Sequence, residues 1–347
     1  MSPVSPRRWP AEWERHSHTL LAWPVTGLDW PGKYEAFQHA FADLVRLIAE
    51  REQVLIAAAS AKHSTAIRKL LIKAHADTSK VSFITQSLDR TWMRDESPVF
   101  VKNGDMTEAI HFRFNGWAKY PNHKRDQKLP AAVTKALRME RTEAMYNDRH
   151  VVLEGGGIDG NGKGTMLTTE ECFLHPKVQV RNPGFTKDDY AAVFRDYLGV
   201  QNIIWLKNGI AGDDTHGHVD DLCRFIDERT IVLCREANVR EKNYRALEEN
   251  IERLADARLE DGSKPRIAYL PMPKPLYYDD LRLPASYANF IFVGDALFVP
   301  TFNDANDRIA LGILAELMPA RTVIGVHAID IVWGLGTLHC LSHEIPA

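Results

Sequence analysis

Cysteine is scarce in this chain. Cys172, Cys223, Cys234 and Cys340 are the 4 present in 347 residues, and no two form a Cys-x-x-Cys pair. A disulfide framework and a zinc ribbon are both disfavoured. Charge of one sign is also lacking: 43 Lys and Arg stand against 46 Asp and Glu, a net charge of −3. No general attraction to nucleic acid or to an anionic membrane follows. No apolar run is long enough to span a bilayer, and Met1 to Pro10 lacks the apolar core of a signal peptide. The expectation is a cytoplasmic protein without nucleic-acid or membrane partners. Linkers, low-complexity tracts and charged tails are missing too. A chain of this length then forms either two ordinary domains or one large closed α/β domain.

What is present alternates. Amphipathic periodicity predicts helices over 34–51, 62–75, 126–139, 186–198, 241–255 and 305–318. Short β-branched runs follow them, beginning near Val54, Val81, Val151, Ile203, Ile267 and Val323. Second strand-like runs, Gly164–Thr169, Thr230–Leu233 and Asp295–Thr301, precede several helices. The last four helix-following runs recur at intervals of about 52, 64 and 56 residues, a weak repeat of one ββαβ-sized unit. Spacing alone does not separate this from a doubly wound sheet.

Chemistry concentrates in few places. Gly212 to Asp221 holds two histidines and four aspartates with Val219 as its one large apolar residue. If extended, His216, His218 and Asp220 share a face. They then form either a metal site or an acid–base histidine beside carboxylates that grip a cation. Cys340 follows the Gly-rich stretch Gly334-Leu335-Gly336-Thr337-Leu338-His339, unlike the other cysteines, which read as inert core residues. Trp92-Met93-Arg94-Asp95 is either a structural ion pair in a turn or a carboxylate aimed into a pocket. Glu154-Gly155-Gly156-Gly157 ends a buried-looking run, Val151–Leu153. No Lys-Ser/Thr follows it, so it is a poor phosphate loop, but its acid can orient a histidine. Lys119 to Lys128, the densest basic stretch, reads as a solvated loop.

Taken together, these motifs resemble the guanidine-modifying superfamily of amidinotransferases and deiminases, and more closely its agmatine deiminase and bacterial peptidylarginine deiminase branch. The resemblance covers most of the chain. It is carried by Pro10-Ala11-Glu12-Trp13-Glu14, Trp23-Pro24, Trp92-Met93-Arg94-Asp95, Phe114-Asn115-Gly116-Trp117 and Glu154-Gly155-Gly156. Further on come Leu167-Thr168-Thr169-Glu170, Gly212-Asp213-Asp214-Thr215, Gly217-His218-Val219-Asp220, Pro300-Thr301-Phe302-Asn303-Asp304 and His339-Cys340. Glu96-Ser97 and Ser342-His343-Glu344 depart from the family pattern.

The resemblance implies a single catalytic domain over 1–347, folded as a five-bladed α/β propeller of ββαβ units around a central pocket. It implies no metal and no organic cofactor, and a small-molecule guanidine as partner; a homodimer stays open. Carried onto this sequence, Cys340 is the nucleophile, His218 the acid–base and Glu154 its support. Asp95 and Asp220 grip the guanidinium, with Asp214 and Trp92 as further substrate contacts. His216 and His339 are read as neighbours pointing away from the pocket. Agmatine is the expected substrate, since the chain lacks the secretion signal and extra domains of the extracellular peptidylarginine enzyme. Peptidylarginine or free arginine is the nearest alternative, and an amidinotransferase would use similar residues. A metal-dependent hydrolase built on His216, His218 and Asp220 is the competing chemistry from another class, and a non-catalytic guanidine binder a third.

Overall fold

The alternation of helices and strands resolves into several small sheets, not one wide doubly wound sheet. The structure is a computed structural model and describes residues 7–347. Five sheets share one pairing pattern: an antiparallel pair, then a parallel partner reached across a helix. In the first, Ser342–Pro346 lies antiparallel to His16–Ala22, which pairs in parallel with Gln53–Ala58; Val81–Thr85 adds a fourth strand. The second combines Val99–Asn103, Met106–His111 and Glu140–Glu143. The third combines Asp159–Gly160, Thr165–Thr169 and Asn202–Leu206. Cys223–Phe225, Thr230–Arg235 and Arg266–Pro271 make the fourth. Ile291–Val293, Ala296–Thr301 and Thr322–His327 make the fifth.

Parallel neighbours need a long crossover, and a helix supplies it in each sheet. The crossovers include Tyr34–Ala49, Leu129–Leu137, Lys187–Leu198, Asn243–Ala255 and Ala305–Leu317, and each falls where periodicity predicts it. Tyr34–Ala49 buries Phe37, Phe41, Leu44, Val45 and Ile48, a stripe at helical spacing. Thr186 and Asp304 start their helices with reciprocal capping boxes, closed by Asp189 and Asp307.

One predicted strand is misplaced. Val151–Leu153 forms only an isolated bridge, Val152 to Arg113. The strand after the second crossover helix is Glu140–Glu143, a polar and mostly exposed edge that an apolar pattern cannot reveal. Among the described residues no helix is long and apolar enough to cross a membrane.

The largest apolar cluster draws on residues from Leu21 to Leu341. Arg224 is fully buried beside it. Its guanidinium bonds to both Asp159 and Glu12, donates to the carbonyls of Ala288 and Phe290 (3.3 and 3.1 Å), and lies 4.7 Å over the Phe290 ring. Glu12 also accepts the Phe292 N–H at 3.0 Å. The N-terminal segment and three sheets thus meet on one cation. Removing one partner of a buried ion pair strands the others, at a cost of about 3–5 kcal/mol. Arg224→Ala is therefore expected to lower the denaturation midpoint sharply, whereas Arg229→Ala, at an exposed pair with Asp261, should shift it hardly at all. Equal shifts in urea titrations of the two variants would contradict this.

Candidate active site

The Gly212–Asp221 segment is not extended. His216 and Gly217 take positive φ angles of 66° and 92°, and Val219–Asp221 forms a 3-10 turn. Asp213 stabilises the bend by accepting the backbone N–H groups of Thr215, Gly217 and His218 at 2.7, 2.7 and 2.9 Å. The alternation therefore does not place His216, His218 and Asp220 on one face. His216 turns to Glu171 at 3.2 Å and packs against the His175 ring. His218 and Asp220 turn inward and are buried.

Around His218 the chain gathers three carboxylates. Asp95 Oδ1 lies 3.8 Å from Nδ1, Glu154 Oε2 3.8 Å from Nε2 and Asp220 Oδ1 4.0 Å from Nδ1. Neither ring nitrogen has a hydrogen-bond partner, and neither does Asp220 Oδ1. Burial opposes the charged ring, but Asp95 first, then Cys172 and Glu154, hold its pKa well above the ordinary value. His218 is an imidazolium at neutral pH.

The glycines after Glu154 permit this crowding. A Cβ on Gly156 would come within 2.5 Å of His218 Nδ1, and one on Gly155 within 2.3 Å of the Arg94 carbonyl. The Gly156 N–H donates to Asp95 Oδ1 at 3.0 Å, and Trp117 Nε1–H donates to Oδ2 at 2.8 Å. Burial, together with Asp220 and Glu154, raises the Asp95 pKa to about 6 against the pull of His218 and Trp117. Burial would also raise Glu154, but Arg181, with Nε 3.2 Å from both oxygens, and then His218 keep it below its ordinary value.

Asp95 and Cys340 share a cavity of about 280 Å³ with Trp92, Asp214, Trp117 and Tyr120. Cys340 sits in the short helix Leu338–Leu341. Its sulfur lies 3.7 Å from Asp220 Oδ2 and 3.1 Å from Asn289 Nδ2. Burial, then Asp220, Asp221 and Asp95, push its pKa well up, so it is a thiol in this state. Asp214 lines the cavity with its oxygens engaged by Lys119 Nζ and, at 2.7 Å, by Tyr120 O–H. Arg90, the one lysine or arginine in the lining among the described residues, is bonded to Asp29 and to Asn122 Oδ1 (3.0 Å).

Several expectations need correction. Arg94 pairs with Glu344 at 2.8 Å, not with Asp95, so the Trp92–Asp95 turn frees its acid. The basic stretch is not merely a solvated loop, because Lys119 and Tyr120 brace Asp214 and Asp126 is fully buried. Cys172 lies in the short helix Glu170–Leu174 and groups with Glu154 and His218. His339 lies outside the cavity lining but holds Asp220, with Nδ1 2.7 Å from Oδ2. Arg181, Asn289 and Arg224 carried no signal in the sequence.

Three side-chain groups have ligand atoms close enough to hold a metal: His111–Glu143–His150, Glu154–Cys172–His218 and Asp220–Asp221–Cys340. The His216–His218–Asp220 set is not among those of the described residues.

The two stretches that depart from the family pattern meet each other. Ser97 Oγ and His343 Nδ1 are 2.5 Å apart, and Glu96 accepts the Trp92 N–H at 2.8 Å.

Solved structures resemble this fold at two levels. An amidinotransferase of Microseira wollei matches with a TM-score of 0.51 at 11% identity, over 99% of this chain and 97% of that one. At that identity the likeness is one of α/β fold alone. More narrowly, the chain belongs to the Porphyromonas-type peptidyl-arginine deiminase family, whose profile matches residues 8–346. It is 32% identical to an agmatine deiminase of Pseudomonas aeruginosa (strain LESB58), over 98% of this chain and 95% of that one. It is similar to a Cys-to-Ser form of the C. jejuni agmatine deiminase with substrate bound, at 30% identity and a TM-score of 0.86, over 98% and 96% of the two chains.

Of the four cysteines, Cys340 alone lines the cavity. Native protein treated with iodoacetamide at alkaline pH should be modified slowly at Cys340, while Cys172, Cys223 and Cys234 react only after denaturation. Peptide mass spectrometry reads this directly; early labelling of Cys223 or Cys234 would contradict the burial.

Proposed function

We propose that this protein is an agmatine deiminase, hydrolysing agmatine to N-carbamoylputrescine and ammonia through a covalent intermediate on Cys340. The observation that carries the reading is the cavity itself. Asp95 and Cys340 share it, and Arg90, the one lysine or arginine in its lining among the described residues, is already paired with Asp29. A guanidinium finds a carboxylate beside a thiol. Among the described lining residues an amino-acid carboxylate finds no free cation, which penalises arginine in a buried site. Trp92, Trp117 and Tyr120 give aromatic faces to an alkylamine, and Asp214 adds negative charge. The curated relatives named agmatine deiminase support the same choice.

Asp95 and Asp220 hold the planar cation, whose own pKa lies above about 12. Its positive charge offsets the carboxylates that keep Cys340 protonated, so binding favours the thiolate. The sulfur attacks the guanidinium carbon. His218, already protonated, gives its proton to the departing nitrogen, which leaves as ammonia and an S-alkylthiouronium remains. The neutral ring then takes a proton from water, the resulting hydroxide adds to the same carbon, and the C–S bond breaks as the hydroxyl proton passes to the leaving sulfur, which releases the ureido product and restores the thiol. Glu154 steadies His218, with Arg181 holding Glu154. On this reading residues 1–347 act as one catalytic domain, and the five similarly paired sheets are the blades of a propeller around the pocket.

Cys340→Ala should abolish ammonia release while the protein stays folded. His218→Ala should slow it by about 10²–10⁴-fold, and His216→Ala much less. Ammonia release from agmatine should far exceed that from arginine or an arginine peptide, and Asp214→Asn should narrow that gap. Preference for arginine or the peptide would move the substrate while leaving the chemistry standing. Activity lost to a chelator and restored by zinc would favour the metallohydrolase.

The pH profile gives a separate check. Asp95 is protonated below about pH 6 in the free enzyme and then cannot pair with the cation. Hence kcat/KM for agmatine should fall about tenfold per pH unit as pH drops below about 6. A flat acid limb down to pH 4.5 would remove Asp95 from the grip.

A further inference from the structure

We propose that Asn289 is a positioning residue for Cys340: its amide N–H holds the sulfur and favours the thiolate, while its carbonyl oxygen fixes the turn that carries the cysteine. The inference rests on reading Cys340 as the nucleophile and adds a residue to that reading.

Asn289 is fully buried, two residues before the Ile291–Val293 strand. Its Oδ1 accepts Thr337 O–H at 2.6 Å, His339 N–H at 3.0 Å and Cys340 N–H at 3.4 Å. Its Nδ2 donates to Asp221 Oδ1 at 3.0 Å and to Cys340 Sγ at 3.1 Å. The orientation of the amide follows from these partners. Backbone N–H groups can only donate, so the oxygen must face Thr337–Cys340 and the NH₂ must face the sulfur and Asp221.

The sulfur thus sits between a side-chain donor and an acceptor. As a thiol it can give its hydrogen to Asp220 Oδ2 and receive the Asn289 N–H. As a thiolate it loses the first bond, since Asp220 has no hydrogen to offer, and keeps the second, beside a backbone hydrogen bond from Thr337. Asp95, Asp220 and Asp221 all oppose negative charge on this atom. Asn289 is the one side-chain donor that meets the sulfur among the described residues. Hydrogen bonds to a charged atom strengthen as the charge forms, so this contact selects the thiolate. The same side chain ties the cysteine to Asp221 and Thr337, which limits where the sulfur can move.

Two variants test this, Asn289→Ala and Thr337→Val. The readouts are the iodoacetamide rate at Cys340 between pH 7 and 10, and kcat and KM for agmatine. Asn289→Ala should lower both the alkylation rate and kcat by about 10–100-fold, the worth of a hydrogen bond to a charged group, with KM within threefold. A residue that merely supports the fold would lower the melting temperature and leave the alkylation rate of folded protein unchanged. An alkylation rate within threefold of wild type in folded Asn289→Ala overturns the proposal. If that variant does not fold, Thr337→Val decides: a rate reduced more than threefold supports the proposal, and an unchanged rate overturns it. Failure of the nucleophile reading would look different, as wild-type enzyme alkylated at Cys340 that still releases ammonia.

Discussion

A buried guanidinium belonging to the protein itself holds this structure together. Arg224 joins Glu12, from the N-terminal segment, to Asp159 at the start of the third sheet, and caps carbonyls before the fifth. Its influence reaches the pocket. Glu12 Oε2 lies 3.2 Å from His339 Nε2, and His339 Nδ1 contacts Asp220. Burial, then the Arg224 and Arg94 cations, keep the His339 ring neutral, so it can donate from only one nitrogen. The shorter contact assigns that proton to Nδ1 and to Asp220. Arg224, after His339 and His218, also helps keep Asp220 ionised.

Behind Asp95 and Cys340 in the cavity wall, the buried charges follow a consistent arrangement. An imidazolium stands among three carboxylates at distances too long for hydrogen bonds, and a protonated thiol stands beside them. Excess negative charge in a dry site is costly when nothing positive compensates it. On the proposed reading, a planar monocation bound beside these groups would balance that charge. Asp95, with a pKa raised to about 6, is the member that gains most from such a guest.

Much of this was legible because it is written in period and residue type. Six helices are visible from apolar spacing, and most core strands from β-branched runs. His218 and Asp220 stand out because so many charged residues in the Gly212–Asp221 run are hard to explain as packing, and Cys340 by its glycine-rich company; Asp95 and Glu154 take their roles from the family resemblance. The rest lay beyond local pattern. Glu140–Glu143 is a strand through pairing alone, without apolar alternation. The bend at His216 and Gly217 is a matter of backbone angle, so alternation misled there. Asn289 is neutral, sits in a loop, and gains its partners only when Thr337 to Cys340 fold against it. Cys172 reads as core from its neighbours, yet its thiol groups with His218 and Glu154. Ser97 and His343, unremarkable singly, make sense only as a pair.

The antiparallel pairing of Ser342–Pro346 with His16–Ala22 bears on how the protein is made. Bringing together strands so distant in sequence carries a large loop-closure entropy and slows folding. On the ribosome, His16–Ala22 can meet Gln53–Ala58 early, but its other edge stays open until the last strand emerges. An open edge invites pairing with other chains. Cys340 lies two residues before Ser342–Pro346, so the cavity gains its sulfur only as that edge is sealed. A chain that stops short of this strand therefore keeps the open edge and lacks the thiol of the cavity.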